Sequence, residues 1–323
     1  MIRFIIKRIL LIIPVLFGIS LLIFTMLYFT PGDPTLVLLP QDATEEARVQ
    51  MREELGLNRS FGVRYVDYLK NIVTKLDFGL SYTTRQPVSL ELFQKFPYTL
   101  RLALFSASIA TVLGIILGII SAVRQYTIFD NLATIFGLVA YSMPVFWLGM
   151  LLILLFAVHL RWLPASGVTS WKSWILPALT IGMTHVARIM RMTRSSMLEV
   201  MRQDYITTAR AKGLEERTVI FKHAFGNAFI PVITTIGITF GGTLGGAVVT
   251  ERVFSVPGIG MLIVDSIRLL NYPMVQGAVL LTAFSFSIIN LLIDIIYAFI
   301  DPRIKAQYMK NKNKNLAAKE ADE

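Results

Sequence analysis

Apolar residues in this chain are gathered into long blocks, and charged residues are concentrated in the segments between the blocks. An α-helix needs roughly 20 consecutive, mainly apolar residues to cross a bilayer. Six blocks reach that length, so the pattern predicts an all-α membrane protein with six spans. Their approximate limits are 9–29, 99–123, 131–158, 175–195, 228–250 and 276–300.

The first block has one feature of a secretory signal peptide, because Arg3, Lys7 and Arg8 precede its apolar run. The run is too long for such a peptide, however. It also ends in Thr-Pro-Gly-Asp-Pro at 30–34 rather than at a small-residue cleavage site. We interpret the block as an uncleaved first span.

The lysines and arginines between the blocks predict the orientation of the chain. With the N-terminus inside, eight lie in the cytoplasmic segment 188–222 and six in 303–319, whereas each short external loop holds two. Cytoplasmic segments of membrane proteins carry such an excess, and long external segments follow the rule only weakly. We therefore expect a multi-pass protein of the plasma (bacterial inner) membrane with both termini in the cytoplasm.

The same pattern divides the chain into parts. They are the N-terminus with the first span (1–29), an external segment (30–98), a five-span core (99–300) that contains a long cytoplasmic loop (196–227), and a cytoplasmic tail (301–323).

The external segment is too long for a simple connector, so we expect it to fold. One predicted helix is capped by Asp42 and ends near Gly56, and a second amphipathic helix covers 62–76. The segment is either a small cap on the ends of the spans or a docking surface for an external partner.

The long cytoplasmic loop predicts a short helix of about two turns. Asp204 is a suitable N-cap, and Gly213 can adopt the left-handed conformation that ends a helix. A second short helix is expected to begin near 215–216. The first helix either rests on lipid headgroups or serves as a lever on which another protein docks, with Ala209 and Ala211 permitting close approach. The residues alone leave both interpretations open.

Composition excludes several classes of function. The net charge of +10 fits cytoplasmic loops of a membrane protein and does not indicate nucleic-acid binding. Cysteine is absent, which excludes disulfides and cysteine metal sites. The sequence has neither a phosphate-binding Gly-x-x-x-x-Gly-Lys-Ser/Thr loop nor a Gly-x-Ser-x-Gly elbow, and its three histidines lie in different segments. We expect a non-catalytic chain without its own cofactor or metal.

A few polar or helix-breaking residues inside the blocks are candidates for a functional role within the membrane, such as contact with a substrate. Asp294 is an ionisable group within a span and could meet an ammonium group such as that of a peptide, or form a structural link to Arg303 or a loop amide. Asn290 lies one turn before it. Pro144 predicts a kink in the third span, either a gate hinge or a static bend.

Regularly spaced glycines in two of the blocks predict how the spans pack. Glycines every four positions in the fifth span (Gly237, Gly241 and Gly245, with Gly242 and Gly246 beside them) predict close helix contact, within this chain or with a second membrane subunit. Gly114 and Gly118 in the second span predict close helix contact for the same reason.

Arg188, Arg191 and Arg194 recur every three residues at the end of the fourth span. They predict anchoring to anionic headgroups or, alternatively, contact with a partner protein or with another part of the cytoplasmic side of this chain.

The order and spacing of motifs resemble the permeases of ABC importers, in the dipeptide, oligopeptide and nickel branch. The segments that carry the resemblance are Pro-Gly-Asp-Pro at 31–34, Leu-Gly-Leu at 55–57, Phe-Gly-Leu-Ser at 78–81, Ala-Arg-Ala-Lys-Gly-Leu at 209–214, Pro-Gly-Ile-Gly at 257–260 and Asp-Pro-Arg at 301–303. The chain departs from the Glu-Ala-Ala triplet of the family loop, where it has Thr207 and Thr208. The long external segment resembles the B-type permease rather than its C-type partner.

The resemblance implies a type I importer in which this permease pairs with a second permease, two ATPase subunits that bind ATP and magnesium, and an extracytoplasmic binding protein. Helix 205–212 would be the coupling helix that docks on an ATPase. The implied coupling residues are Tyr205, Thr207, Thr208, Ala209, Arg210, Ala211, Lys212, Gly213 and Leu214. The external loop 251–275, with Pro257, Gly258, Ile259 and Gly260, would take part in substrate handover from the binding protein.

The expected substrates are di- or oligopeptides, with nickel chelates and glutathione as alternatives on the same scaffold. An ion-driven secondary transporter is a second class. Such a transporter usually carries several buried acidic residues, whereas Asp294 is the one acidic residue inside the apolar blocks of this sequence. A membrane enzyme or receptor is a third class, and the missing catalytic motifs argue against it.

Overall fold

The computed structural model describes residues 2–40 and 42–300. Within these residues the regular secondary structure is helical, apart from one isolated β-bridge between Leu80 and Pro87. The helices are α1 (Ile2–Phe29), α2 (Pro34–Leu38), α3 (Glu45–Glu54), α4 (Phe61–Lys75), α5 (Val88–Val123), α6 (Ile128–Ser142), α7 (Val145–Leu152), α8 (Ile175–Met201), α9 (Asp204–Ala211), α10 (Glu216–Thr218), α11 (Gly226–Gly246), α12 (Val248–Val253), α13 (Ile259–Arg268) and α14 (Tyr272–Ile300). The predicted tail 301–323 lies outside the described residues.

Four helical segments of the described chain are long and apolar enough to cross a membrane. They are Ile5–Phe29, Val88–Val123, Glu216–Gly245 and Tyr272–Ile296. The number rises to five if the bent pair α6 and α7 is one span. Length and composition thus do not confirm six spans. The predicted span that is missing from this count is the fourth, which corresponds to α8. Its 27 residues would suffice in length, but they include three arginines in the second half of the helix.

The predicted third span is broken rather than continuous. α6 ends at Ser142, Pro144 is the N-cap of α7, and the two parts are bent by 105°. Proline lacks the N–H that would continue the helical ladder, which explains why the chain bends at this position. A turn of π-helix, Ile153–His159, completes the second part.

α5 and α8 form the centre of the fold. Gly114 and Gly118 of α5 face α8 so closely that a Cβ at Gly114 would lie 2.7 Å from Ile189 Cβ. Gly182 of α8 faces the Ser106 carbonyl of α5 in the same way, at 3.1 Å. Small residues on both helices let the backbones approach, as membrane helices commonly do. The glycines of α5 therefore pack within this chain.

α5 begins at Val88, earlier than the predicted start at 99, so the proposed boundary at 98/99 falls inside a helix. Val88 and Leu92 are buried in a cluster with Ile259, Met274 and other residues of α13 and α14. The first three turns of α5 are amphipathic, because one side packs against these helices. A search for continuous apolar runs does not detect such a start.

The segment between α1 and α5 contains the two predicted helices, α3 and α4. Thr44, rather than the predicted Asp42, caps α3 by accepting a hydrogen bond from the Ala47 amide. Tyr65 of α4 packs edge-on against Phe24 of α1 and is hydrogen-bonded to Ser20 at 2.9 Å. Aromatic side chains thus hold α4 against the first span.

Candidate coupling site

α9 lies where the sequence predicts the short cytoplasmic helix, and it is amphipathic. Ile206 and Ala209 are buried among Met197, Val219, Ala224 and other apolar residues that end α5 and α8 and begin α11. Ala209 therefore faces the interior of its own chain and is not available for the predicted close approach of another protein. The apolar side of α9 is satisfied by this chain rather than by lipid.

The opposite side of α9 is exposed. The exposed residues include Tyr205, Thr207, Thr208, Arg210 and Ala211 of the helix, and Lys212, Gly213 and Leu214 of the turn that follows. The Arg210 guanidinium donates two hydrogen bonds to the Glu216 carboxylate, at 3.1 and 2.7 Å. These bonds hold the pKa of Glu216 below its usual range and raise that of Arg210. The exposed pair stabilises the turn by about 1 kcal/mol at most.

Gly213 ends this unit in the left-handed conformation that the sequence predicts, with φ +75°. Its amide donates to the Arg210 carbonyl at 2.9 Å, which closes the turn after α9. The N-cap is Gln203 rather than the predicted Asp204, which is the first helical residue. The second short helix begins at Glu216 as predicted and then continues through a π-helical segment, Val219–Phe225, into α11.

A buried carboxylate lies close to this loop. Asp130, at the start of α6, accepts two hydrogen bonds from the Arg194 guanidinium of α8, at 2.9 and 2.8 Å. The Ser121 hydroxyl of α5 and the Tyr126 amide also donate to it. Arg194 thus pairs with a carboxylate, which differs from the predicted anchoring to headgroups. The cluster joins the end of α5, the start of α6 and the second half of α8.

An open cleft of about 1050 Å³ borders this cluster on the side of α9. Its lining combines residues of α6 with residues of α8 and the joint to α9 (Tyr126, Asp130, Asn131, Thr134, Ile135, Met190, Arg191, Arg194, Ser195, Leu198, Glu199, Arg202 and Gln203). Arg191 stacks over the Tyr141 ring at 5.2 Å. Arg188, one turn earlier, is exposed.

The predicted handover residues occupy a buried turn. Pro257 is half-buried, and Gly258, Ile259 and Gly260 are buried between α12 and α13. The Glu251 carboxylate, itself fully buried, occupies the space that a Cβ at Gly258 would need. The loop 251–275 is largely helical, because it contains α13 together with the end of α12 and the start of α14. Its role in handover stays a prediction.

The candidates of the translocation path are dispersed. Asp294 forms an ion pair with Arg8 of α1 at 2.8 Å, while the predicted alternative partner Arg303 lies outside the described residues. Asn290 is half-buried on the preceding turn of α14, and Pro144 is at the break of the third span. The structure does not bring these three residues into one site.

Two family models match most of the chain. "Binding-protein-dependent transport system inner membrane component" covers residues 114–306, and the corresponding N-terminal family covers residues 1–103. The first match alone spans more than half of the sequence.

This chain belongs to the binding-protein-dependent inner-membrane permeases of ABC importers. Among the relatives of this permease is the glutathione transport system permease protein GsiC of Escherichia coli K12. It is 42% identical over 94% of this chain and 99% of its own length. The dipeptide transport system permease protein DppB of Alkalihalophilus pseudofirmus is 39% identical over 94% of this chain and all of its own. The sequence resemblance to the peptide branch is thereby confirmed.

Solved structures show the same fold for the core of the permease. An inward-facing MetNI methionine ABC transporter matches with a TM-score of 0.54 at 18% identity, over 66% of this chain and 97% of the other. An amino acid ABC transporter with histidines matches with a TM-score of 0.51 at 10% identity, over 65% and 94%.

Sequence reasoning missed two buried acidic residues, Asp130 beside the coupling loop and Glu251 beneath the Pro-Gly-Ile-Gly turn. Each is an acidic residue at the edge of an apolar block, in a chain whose inter-block charges are mainly basic. A carboxylate that becomes buried where helices meet needs a charged or hydrogen-bonding partner, so each residue was a candidate for such a pair. Their partners Arg194 and Thr99 are 64 and 152 positions away, so no local pattern could identify them.

Proposed function

We propose that this permease moves dipeptides or other short peptides, glutathione among them, across the plasma membrane by alternating access. The observation that carries the proposal is the similarity to a glutathione permease and a dipeptide permease along nearly the entire chain. Nickel chelates stay an alternative on the same scaffold. We further propose that the binding protein, rather than the permease alone, selects the substrate.

The energy for transport comes from partner subunits in this proposal. Two ATPase subunits that bind ATP and magnesium, a second homologous permease and an extracytoplasmic binding protein complete the importer. The exposed side of α9 is the surface on which an ATPase acts, because the other side, formed by Ile206 and Ala209, is packed against this chain. This arrangement supports the lever interpretation of α9.

The proposed topology has six spans and cytoplasmic termini. α8 supplies the span that composition leaves out, because Arg194 is neutralised by Asp130 and Arg191 is placed over Tyr141. Charged side chains in a span are tolerated when they are paired or reach the interface. Accessibility labelling of single cysteines in this cysteine-free chain tests the topology, with labels at 310 and 215 expected to react only from the cytoplasmic side.

The function is tested by reconstituting the complete importer in proteoliposomes with its binding protein. Uptake of a labelled dipeptide and of labelled glutathione is measured with ATP and with a non-hydrolysable analogue. ATP-dependent uptake of either compound supports the proposal. Uptake of neither peptide, or uptake driven by an ion gradient without the ATPase subunits, would overturn it.

A further inference from the structure

The ion pair between Asp130 and Arg194 joins three helices at the point where the coupling loop begins. One carboxylate accepts hydrogen bonds from α5, from the turn before α6 and from α8, and the carboxylate is almost fully buried. Bidentate arginine–carboxylate pairs fix orientation as well as distance. The cluster therefore sets the relative positions of these helix ends.

α9 is connected to α8 by a short joint of two residues. Gln203 donates its amide to the Val200 carbonyl at 3.0 Å, and the Ile206 amide donates to the Gln203 carbonyl at 3.0 Å. These bonds leave little slack between the two helices. A displacement of α9 is consequently passed to the cytoplasmic end of α8, two turns from Arg194.

α6 needs its own connection to α8, because the break at Pro144 separates it from α7. Farther along α6, Gly137 packs against α8, where an added Cβ would lie 2.6 Å from Met190 Cε and 3.5 Å from Ala187 Cβ, and Tyr141 lies under Arg191. Asp130 is at the cytoplasmic end of α6, where its hydrogen bonds to Arg194 give a stiffer connection. Without this pair, the ends of α6 and α8 nearest α9 would lose their direct hydrogen-bonded link.

We propose that Asp130 and Arg194 are positioning residues that make α5, α6 and α8 move together when α9 is displaced, so that ATP hydrolysis is coupled to substrate movement. This role rests on the proposed function of α9 as the surface on which the ATPase acts. In this role neither residue needs to contact ATP or the substrate.

The test compares uptake per ATP hydrolysed in the reconstituted importer. Asp130→Asn and Arg194→Gln each remove the charge pair, and Arg194→Lys keeps the charge but loses the bidentate geometry. We expect Asp130→Asn and Arg194→Gln to lower uptake per ATP about tenfold, within the usual range of coupling between sites, with ATP hydrolysis and assembly retained. The double variant should be no worse than either single variant, because both lose the same interaction.

Arg188→Gln is the matched control. It removes an exposed guanidinium from the same helix, and among the described residues Arg188 forms no ion pair. Its uptake per ATP should stay within twofold of the unmodified importer. If Asp130→Asn prevents assembly, Arg194→Lys provides the comparison, with a reduced uptake per ATP expected.

The result that overturns the role of the ion pair is a proportional loss of uptake and ATP hydrolysis, or no loss of either. Gly213→Val separates this from a failure of the proposed function. If Gly213→Val leaves uptake per ATP unchanged, the role of α9 fails. If Gly213→Val uncouples the importer and the Asp130 and Arg194 variants do not, only the role of the ion pair is overturned.

Discussion

The Thr99 hydroxyl donates a buried 2.7 Å hydrogen bond to Oε1 of Glu251, 152 positions later in the sequence. Glu251 Oε2 accepts from the Met261 amide at 2.9 Å, and the Ile259 amide donates to Thr99 Oγ1 at 2.8 Å. Two side chains thus connect α5, α12 and the start of α13. The Pro-Gly-Ile-Gly turn is wrapped around this carboxylate.

Replacing Glu251 by alanine should destabilise the permease. The change leaves the Thr99 hydroxyl and the Met261 amide without their acceptor in a buried place, at a cost of about 1–3 kcal/mol for each unsatisfied group. Thermal unfolding of purified protein in detergent, followed by tryptophan fluorescence, measures the effect. Glu251→Gln, which keeps one carbonyl oxygen, should be milder, and an alanine variant as stable as the unmodified protein would contradict the assigned bonds.

The same carboxylate predicts a pH dependence. Burial raises the pKa of Glu251 above its ordinary 4.5, which the group regains on unfolding. The native state then binds more protons than the unfolded state between the two pKa values, so stability falls as pH rises through that interval. The contribution is complete below about 4.5 and is lost above the folded pKa. Unfolding temperatures across this range should fall more for the unmodified protein than for Glu251→Gln.

Gly213→Val should impair uptake more than it impairs stability. The left-handed φ of +75° costs a β-branched residue roughly 1–2 kcal/mol, although a Cβ there meets no other heavy atom within 4 Å. Relief of that strain would displace the end of α9 and reduce uptake per ATP. Gly213→Asn is the control, because asparagine tolerates this conformation, and it should retain uptake.

Two glycines of α11 should respond differently to alanine. A Cβ at Gly237 would collide with Ile293 of α14, whereas a Cβ at Gly242 meets nothing within 4 Å in this chain. Gly237→Ala should therefore lower the unfolding temperature of the isolated permease by several degrees, at an overpacking cost of about 1–3 kcal/mol. Gly242→Ala should leave it unchanged. Equal changes of unfolding temperature at both positions would contradict the close contact between Gly237 of α11 and Ile293 of α14.

Asp294→Asn should leave peptide selectivity unchanged. The carboxylate is paired with Arg8 at 2.8 Å, which favours a structural link between α1 and α14 over contact with a peptide ammonium. Uptake of a dipeptide with a free N-terminus and of its acetylated form gives the measurement. The ratio of the two should be the same in the variant and the unmodified importer; a loss of preference for the free amine would restore Asp294 to the substrate path.

The sequence by itself determined the apolar helices of the membrane, the amphipathic helix α4, and the short helix that ends at Gly213. These features follow from hydrophobic periodicity and from glycine's freedom at positive φ, which are local properties. Family resemblance then indicated the peptide branch of importers, which the relatives confirm, and gave the α9 loop its expected coupling role.

Only the tertiary structure decided which polar residues meet. Asp130 with Arg194, Thr99 with Glu251, and Arg8 with Asp294 are brought together by the packing of helices far apart in the sequence. It also decided that Ala209 faces inward and that the third span breaks into two helices bent by 105°. The physical reason is that burial and pairing depend on which helix faces are in contact, whereas one-dimensional periodicity shows only that a face exists.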